Sequence, residues 1–287
     1  MAYEGRHMDT GIPTDEEEAT AFLLKAGVLK SWTACPWCGK YNIGRIRRNK
    51  YRCRDCGREW GLRKGSILEG TRVSCRTFVN TVQLFADDVP VNDAARRLGT
   101  AYNTTYDTYA RIRKAVLADD LPGDISMADG VSPGAKQTVV FGIRFANGRI
   151  TIEPVESPDP DLITALPIPT MQRGNILFID AYGKKYQGFI TYAPYRKGQE
   201  FVRVRPAQGF TWSPLAGFWE FAGKSWMKHR GLDRKQFPVF LQELARRYNT
   251  RDTDQFQKIL TLIAAYECPP ACTGTGTGKT TATIPGP

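Results

Sequence analysis

Two matched pairs of cysteines constrain this chain more than any other feature of its sequence. Cys35 and Cys38 form one C-x-x-C pair, Cys53 and Cys56 form a second, and 14 residues separate the pairs. Two thiolates at this spacing can bind one metal ion from a tight turn, and two such turns complete the four-sulfur site of a structural zinc ribbon. The spacing therefore predicts a structural Zn²⁺ site with no coordination position open for chemistry.

The same residues leave two alternatives, a redox-active C-x-x-C pair and an iron–sulfur cluster. Two matched pairs inside a basic segment argue against both. The other three cysteines, Cys75, Cys268 and Cys272, are scattered, and the total of seven is odd. We therefore do not interpret the cysteines as a disulfide framework.

The net charge of +11 is compatible with a polyanionic partner, because each Lys or Arg near a phosphate can release a condensed counterion. Scattered surface cations are the alternative interpretation. The distribution favours a nucleic-acid surface, since nine cations fall between Arg45 and Lys64 against two acids, Asp55 and Glu59. We expect phosphate contacts from Arg45, Arg47, Arg48 and Lys50.

The overall composition is that of a globular protein, with 41% hydrophobic and 24% charged residues, and 287 residues suffice for two or three small domains. The chain contains no run of about 18 apolar residues. Its first residues also lack an apolar stretch of the signal-peptide kind. We therefore expect no membrane partner and a cytoplasmic, nucleoid-associated location.

After the cysteine segment, apolar residues at helical spacing predict three helices between Cys75 and about Leu121. The second covers Val91 to Leu98 and ends at Gly99, and the third covers Tyr102 to about Ala118. This order is typical of a helix-turn-helix, although a helical core without groove contacts is the alternative. At the start of the third helix, we expect base-edge contacts from Tyr102, Asn103 and Thr104.

Further along, the pattern becomes that of strands. Thr138–Ile143 and Arg149–Val155 flank an Asn147–Gly148 turn, which predicts a hairpin. Residues Asn175–Ile179 form a short apolar run typical of a buried strand, and the run ends in Asp180. Three helices are predicted to follow, over Leu215–Lys228, Arg234–Asn249 and Asp254–Tyr266.

The two ends of the chain give different predictions. Residues 13–30 form a short helix in this interpretation, with Thr14 as its N-cap. Residues 268–287 consist mainly of Gly, Thr, Pro and Ala, and we expect them to be disordered. The Gly278–Lys279–Thr280 sequence in this tail is not a P-loop, because Thr273 occupies the position of a required glycine.

Several short motifs occur in a fixed order along the chain: Cys35–Pro36–Trp37–Cys38–Gly39, Tyr51–Arg52–Cys53–Arg54–Asp55–Cys56–Gly57, Lys64–Gly65–Ser66–Ile67, Arg111–Ile112–Arg113–Lys114, His229–Arg230–Gly231–Leu232, Phe240–Leu241–Gln242–Glu243–Leu244 and Arg247–Tyr248–Asn249. Together they resemble the zinc-ribbon insertion-sequence transposases related to the eukaryotic Merlin elements. The resemblance extends from about Thr14 to Arg251 and rests on separate motifs in the expected order.

The resemblance implies a DDE-type transposase with a multidomain α+β fold. A zinc ribbon and a helix-turn-helix-like domain would precede an RNase H-like α/β catalytic domain with a mixed sheet. Three acidic side chains of such a domain hold two Mg²⁺ or Mn²⁺ ions, which activate the attacking oxygen and stabilise the leaving oxygen. The implied partners are double-stranded DNA, as element ends and target, and at least one further copy of the chain. We expect domain ranges of 1–30, 31–70, 71–121, 122–267 and 268–287.

Carried over to this sequence, the resemblance gives candidates for the first two acids. Asp180 closes the apolar run and matches the second acid, with a helix cap as the alternative role. Asp129 is the candidate for the first acid, and Asp124 is a second possibility for that position. Asp129 is followed by Gly130, so a structural Asp–Gly turn explains it equally well.

The third acid of the family pattern is replaced. Ala216 stands where the ligand should precede Gly–Phe–Trp, and alanine cannot bind a metal ion. Glu220 lies one helical turn further on and is the candidate replacement. Pairing with Lys224, also at i, i+4, is the alternative role of Glu220.

These observations leave three functional hypotheses. The first is a transposase that binds element ends and performs metal-dependent strand cleavage and transfer. The second is a catalytically impaired, domesticated relative that binds DNA without cutting it, and the replaced third acid favours it. The third is a zinc-ribbon factor of the transcription machinery, which leaves the Arg247–Tyr248–Asn249 motif unexplained.

Overall fold

The structure is a computed structural model that describes residues 12–47, 49–118, 139–155, 171–173, 176–180, 187–192, 215–229 and 236–267. These residues form a mixed α+β protein with seven helices and two antiparallel sheets, as the expected multidomain α+β class requires. The chain divides into two compact units. The first comprises the described parts of 1–87, 91–116 and 256–287, and the second comprises those of 88–90 and 117–255.

The helix that opens the first unit, α1 (Glu16–Lys25), begins one residue later than the sequence suggested. Asp15 is its N-cap, and the Asp15 side chain accepts a hydrogen bond from the Glu18 amide at 2.8 Å. Thr14 lies outside the helix and donates through its own amide and hydroxyl to the Glu18 carboxylate, at 2.9 Å each. The N-cap is therefore shifted along the chain by one residue, and the Glu18 carboxylate binds the residue before the cap instead of the amide of the cap itself.

A small antiparallel sheet follows, formed by β1 (Ile43–Ile46), β2 (Lys50–Cys53) and β3 (Glu59–Gly61) in that order. Its pairing register places Gly44 opposite Arg52 and Ile46 opposite Lys50. Since paired residues of antiparallel strands point to the same side, this register decides which side chains share a face.

Three helices come next, α2 (Cys75–Ala86), α3 (Val91–Leu98) and α4 (Tyr102–Val116). The predicted bounds of α3 are confirmed, and this helix ends at Gly99, which has φ +63°. Phe78, Val79, Val82 and Phe85 of α2 are buried, and α2 packs against both α3 and α4. The three-helix arrangement is thus held by the apolar stripe that its periodicity predicted.

The second unit contains a five-stranded antiparallel sheet. Its strands are β4 (Val139–Ala146), β5 (Arg149–Pro154), β6 (Met171–Arg173), β7 (Ile176–Asp180) and β8 (Gly188–Tyr192), in the order β5-β4-β8-β7-β6. The predicted hairpin is confirmed, because β4 pairs with β5 through a turn in which Asn147 has φ 52° and Gly148 has φ 75°. Positive φ at both central residues is the geometry of a type I′ turn.

The mixed sheet expected from the resemblance differs from what the described strands form, because all of their pairings are antiparallel. Chain length accounts for part of the difference. Only residues 181–187 separate β7 from β8, and a parallel crossover needs a dozen residues or more. A connection of this length can join β7 to β8 only as antiparallel neighbours.

Two helices complete the second unit, α5 (Ala216–Lys228) and α6 (Phe237–Asn249). The core contains Ile143, Ile150, Ile152 and Ile190 from the sheet together with apolar residues of both helices, including Phe218, Trp219, Phe237, Leu241 and Leu244. Trp219, which is only 6% exposed, is therefore a core residue of this unit.

The helix α6 also satisfies the free edge of the sheet, where β5 is the last strand. The Asn249 side chain accepts from the Ile150 amide and donates to the Ile150 carbonyl, at 2.7 Å each. Two helical turns earlier, the Gln242 amide group donates to the Ile152 carbonyl at 2.7 Å. These amide side chains thus satisfy three backbone groups of the edge strand, which avoids the cost of leaving them unpaired.

The last helix, α7 (Gln255–Ala265), differs from its expected place in the 122–267 domain. It belongs to the first unit from Phe256 onward. The Phe256 ring stacks on Phe22 of α1 with a centroid separation of 6.1 Å. Among the described residues, no helix is both long and apolar enough to cross a membrane.

Candidate metal centre and nucleic-acid interface

The structure brings the four cysteines of the two C-x-x-C pairs together. The sulfur atoms of Cys35, Cys38, Cys53 and Cys56 all lie within 4.8 Å of one another. Two of the distances, Cys35 Sγ to Cys56 Sγ and Cys38 Sγ to Cys53 Sγ, are 3.6 Å. The predicted cluster is confirmed as a group that can hold a metal ion such as zinc.

These distances fit zinc and exclude disulfides. A tetrahedral ion with zinc–sulfur bonds of about 2.3 Å separates its sulfurs by roughly 3.8 Å. A disulfide would require about 2.05 Å between the sulfur atoms, whereas the observed cross-pair distances are 3.6 Å. Both pairs contribute one buried and one exposed cysteine, so the cluster is enclosed on one side by protein.

The two cysteine turns share one backbone geometry. In each, the amide of the first cysteine donates to the carbonyl five residues later, at 2.9 Å for Cys35 and 3.0 Å for Cys53. The glycine after each pair, Gly39 or Gly57, donates back to the first cysteine's carbonyl and has φ near +70°. This conformation strains any residue with a Cβ, which explains a glycine at both positions.

The thiols of the first pair do not ionise independently. Burial opposes ionisation of Cys35, but amide hydrogen bonds from Cys38 and Trp37 outweigh it and lower the pKa of Cys35 to about 7. The Lys40 amide favours the Cys38 thiolate, yet burial and the neighbouring thiols raise the pKa of Cys38 to about 12. The Cys35 thiolate thus disfavours ionisation of the Cys38 thiol. A divalent cation between the two sulfur atoms would remove this repulsion.

Aromatic side chains, whose structural role was not predicted from the sequence, support the cysteine cluster. Trp60 is buried beside Cys35 and Cys53. Its ring contacts Trp32 edge-on at 5.8 Å between centroids and stacks with Tyr51 at 5.8 Å. The alternation of Tyr51 and Cys53 along β2 was the available signal, since residues two apart on a strand share one face.

The strand register separates the cations of this segment onto two faces. Lys50 and Arg52 are both exposed and lie on the side of β2 opposite Cys53. Beside them are two glycines, because Gly44 pairs with Arg52 and Gly61 pairs with Lys50. A Cβ at Gly61 would meet no atom within 4 Å. We call this side the open face and define it by Gly44, Ile46, Lys50, Arg52, Glu59 and Gly61.

Two of the four cations expected at phosphates, Arg45 and Lys50, lie on opposite faces of the sheet. Lys50 lies on the open face, whereas Arg45 pairs with Tyr51 on the aromatic side and donates to the Asn49 side chain at 2.6 Å. Arg47 is exposed in the turn between β1 and β2, and Arg48 lies outside the described residues. Arg52, which was not among the four predicted cations, lies on the same exposed face of β2 as Lys50.

The residues expected at base edges lie together at the start of α4. Tyr102, Asn103 and Thr104 are all exposed, and the Tyr102 ring stacks on Tyr106 with centroids 5.9 Å apart. The buried residues of this helix begin at Thr105. The first turn of α4 is therefore accessible, as a recognition helix requires.

Only two of the candidate catalytic acids, Asp180 and Glu220, lie among the described residues. Asp129 lies outside them, as does Asp124. Asp180 is the last residue of β7 and pairs with Gly188 of β8. Glu220 is exposed on α5, and its carboxylate accepts a hydrogen bond from Lys224 at 2.6 Å. This is the pairing with Lys224 that the sequence offered as the alternative role of Glu220. Ala216, the first residue of α5, is also exposed.

A second group of titratable side chains surrounds Asp88 in the second unit. Its carboxylate accepts from the Ser225 hydroxyl at 3.0 Å and lies 2.8 Å from Nε2 of His229. Arg247 and Lys228 lie at 3.9 and 3.5 Å. Ser225 and His229 each bond to the aspartate rather than to each other, so they do not form the nucleophile–base pair of a hydrolase.

The surroundings of Asp88 favour its ionised form. Burial disfavours the charge, but the hydrogen bond with His229 and the positive charges of Arg247 and Lys228 outweigh this and lower the pKa of Asp88 below 3.8. Asp88 also has φ 56°, a left-handed conformation that aspartate and asparagine tolerate best among non-glycine residues. The carboxylate therefore acts as a buried anionic anchor for α5 and α6.

Comparison with protein-family models, curated proteins and solved structures finds no match.

Replacing one metal ligand tests the zinc site. Cys53→Ser should weaken zinc binding by roughly 100-fold or more, because one of four ligand bonds is removed from a fully buried position. Elemental analysis of the purified proteins should find one zinc ion per chain in the wild type and less than one in Cys53→Ser. Cys75→Ser is the matched control, since Cys75 is also buried and free but lies outside the cluster. Equal zinc in both variants would contradict the site.

The Asp88 anchor predicts a pH-dependent stability. Because the folded-state pKa lies below the ordinary value of 3.8, the carboxylate stabilises the fold above about pH 4. That stability is lost as pH falls through the folded-state pKa. Asp88→Asn, which tolerates the same backbone, should lower the free energy of unfolding at pH 7 by about 1–3 kcal/mol.

Urea unfolding at a series of pH values measures this difference. It should shrink as pH falls from about 4 through the folded-state pKa of Asp88, where the wild-type carboxylate becomes neutral as well. Asp252→Asn is the control, because the Asp252 side chain is 87% exposed. A difference between wild type and Asp88→Asn that stays constant from neutral to acid pH would rule out the ionised anchor.

Proposed function

We propose that this chain is a DNA-binding protein of the transposase type that holds duplex phosphates on the open face of its zinc ribbon. The observation behind the proposal is the pair of exposed cations on β2, Lys50 and Arg52, with glycines directly beside them. At Gly61, where a Cβ would meet no atom within 4 Å, a polymer backbone can approach closely. Lys50 and Arg52 outnumber the one acid of the open face, Glu59, which suits the phosphates of a nucleic-acid strand.

Other features of the first unit support the same function. The net charge of the chain is +11, and the cations between Arg45 and Lys64 outnumber the acids. The α3–α4 pair follows the length and spacing of a helix-turn-helix, with the start of α4 exposed. In the proposed complex the ribbon contacts phosphates and α4 enters the major groove, where Tyr102, Asn103 and Thr104 meet base edges.

The resemblance to zinc-ribbon transposases gives this binding its proposed context. The bound DNA would be the end of a mobile element, held by at least two copies of the chain in the nucleoid region of a bacterial cell. The described part of the second unit would then belong to an RNase H-like domain. The replaced ligand at Ala216 and the exposed Glu220–Lys224 pair favour a relative that binds DNA with impaired or absent catalysis.

Metal-dependent strand cleavage and transfer is the second candidate function. Asp180 favours it, because this residue ends β7 and a strand end is where transposase acids lie in the resembling family. With Asp129 or Asp124 and one further ligand, it would hold Mg²⁺ or Mn²⁺ beside the scissile phosphate. The Zn²⁺ ion of the ribbon has only a structural role in either function.

Removing the two open-face cations tests DNA binding. Lys50→Ala with Arg52→Ala should weaken duplex binding by roughly tenfold or more and reduce the salt slope of the binding constant by about 2, one for each phosphate that is no longer neutralised. Fluorescence anisotropy at several salt concentrations measures both. Lys25→Ala with Lys258→Ala is the matched control, because it removes two exposed cations from helices. Equal weakening in both double variants would refute the open face as the DNA surface.

A strand-cleavage assay separates the two candidate functions. It uses the purified full chain, candidate terminal DNA, and Mg²⁺ or Mn²⁺. If the chain is a nuclease, Asp180→Ala should reduce nicking by about 100-fold or more, because it removes electrostatic stabilisation of the transition state, while exposed Asp252→Ala should not. Salt-sensitive binding without cutting under either metal would exclude cleavage and leave the DNA-binding function.

A further inference from the structure

Two aromatic side chains of the ribbon are exposed. Among the described residues, three large hydrophobic side chains are exposed, and two of them, Trp37 and Tyr41, belong to the loop of the first cysteine pair. Tyr41 is 80% exposed and Trp37 is 42% exposed. Exposed aromatic rings in the most basic segment of a chain are typical of surfaces that contact bases.

The backbone beneath both rings is fixed. Trp37 stands between two zinc-binding cysteines, and its ring rests edge-on against buried Trp60 with centroids 5.5 Å apart. The Tyr41 carbonyl accepts from the Ile43 amide at 2.7 Å, which anchors the loop to the first strand. Ordering these rings on a ligand therefore costs little conformational entropy, because only side-chain torsions remain to be fixed.

Cations lie in the same part of the ribbon. The Arg58 guanidinium lies over the Trp37 ring at 5.5 Å from its centroid. The Arg54 amide donates to the carbonyl of Asn42, the residue after Tyr41, at 2.9 Å, and the exposed Arg54 side chain lies 4.0 Å from the Cβ position of Gly44. An aromatic face with an adjacent cation can bind a base and its phosphate together.

We infer that Trp37 and Tyr41 form a stacking site for unpaired bases, so that the ribbon recognises DNA with a single-stranded segment rather than a fully paired duplex. This inference rests on the proposed function and narrows its substrate. Bases in a duplex already stack on both faces and offer only their edges in the grooves. A ring exposed at a loop can stack only on a base that has left the helix or has no partner.

The test compares two substrates of the zinc-loaded full chain by fluorescence anisotropy. One is a blunt duplex, and the other is the same duplex with about six unpaired thymidines, at the 5′ or the 3′ end. Wild-type protein should bind the extended substrate about tenfold more tightly. Tyr41→Ala should remove most of this preference and leave blunt-duplex affinity unchanged, whereas Tyr41→Phe should keep the preference because it keeps the ring.

The salt dependence adds a readout that charge alone would not produce. Stacking releases no counterions, so the preference for the extended substrate should persist at salt concentrations where blunt-duplex binding has weakened. Trp37 is left unchanged, because its contact with Trp60 would complicate the interpretation of its removal.

Three outcomes would overturn the inference. Equal binding of both substrates by wild-type protein would remove the stacking site while leaving DNA binding intact. Equal weakening of both substrates in Tyr41→Ala would place the ring against paired DNA as a groove wedge. Failure to bind either substrate would refute the proposed function itself, and with it the inference that rests on it.

Discussion

The fold of the ribbon depends on the cluster of four cysteine sulfur atoms that can share one metal ion. Its buried core consists of Cys35, Cys53 and Trp60, with three partly buried neighbours, and such a core is too small to hold a fold by apolar burial alone. Four thiols within 4.8 Å of one another supply what the core lacks, provided that a cation neutralises them. Because Cys53 belongs to β2, the cluster also holds one face of that strand inward and leaves Lys50 and Arg52 on the exposed face.

The features predicted well from sequence are those that depend on neighbouring residues. The cysteine spacing, the helix over Val91–Leu98 with Gly99 behind it, and the Asn147–Gly148 turn each need only local geometry. Glycine and asparagine reach positive φ more readily than other residues, so their positions in the chain mark turns directly. Where a signal of this kind existed, the structure departs from the prediction by only a few residues.

The features that were missed depend on residues far apart in the chain. The run of cations from Arg45 to Arg52 looks continuous in sequence, but pairing between strands sends Arg45 and Lys50 to opposite faces. Asp88 carries no signal in the local sequence, because its partners Ser225 and His229 lie some 140 residues away along the chain. The last helix follows Asn249 closely in sequence, yet its phenylalanine stacks on α1. No local pattern reports such contacts.

The hydrogen bonds of Asn249 and Gln242 with β5 bear on how this chain can meet copies of itself. An uncovered edge strand invites another chain to extend the sheet, which leads to domain swapping or fibrils. In α6, Asn249 and Gln242 already bind the Ile150 amide, the Ile150 carbonyl and the Ile152 carbonyl, which are backbone groups that an added strand would have to pair with. A second chain could extend the sheet at β5 only after it displaced these two side chains.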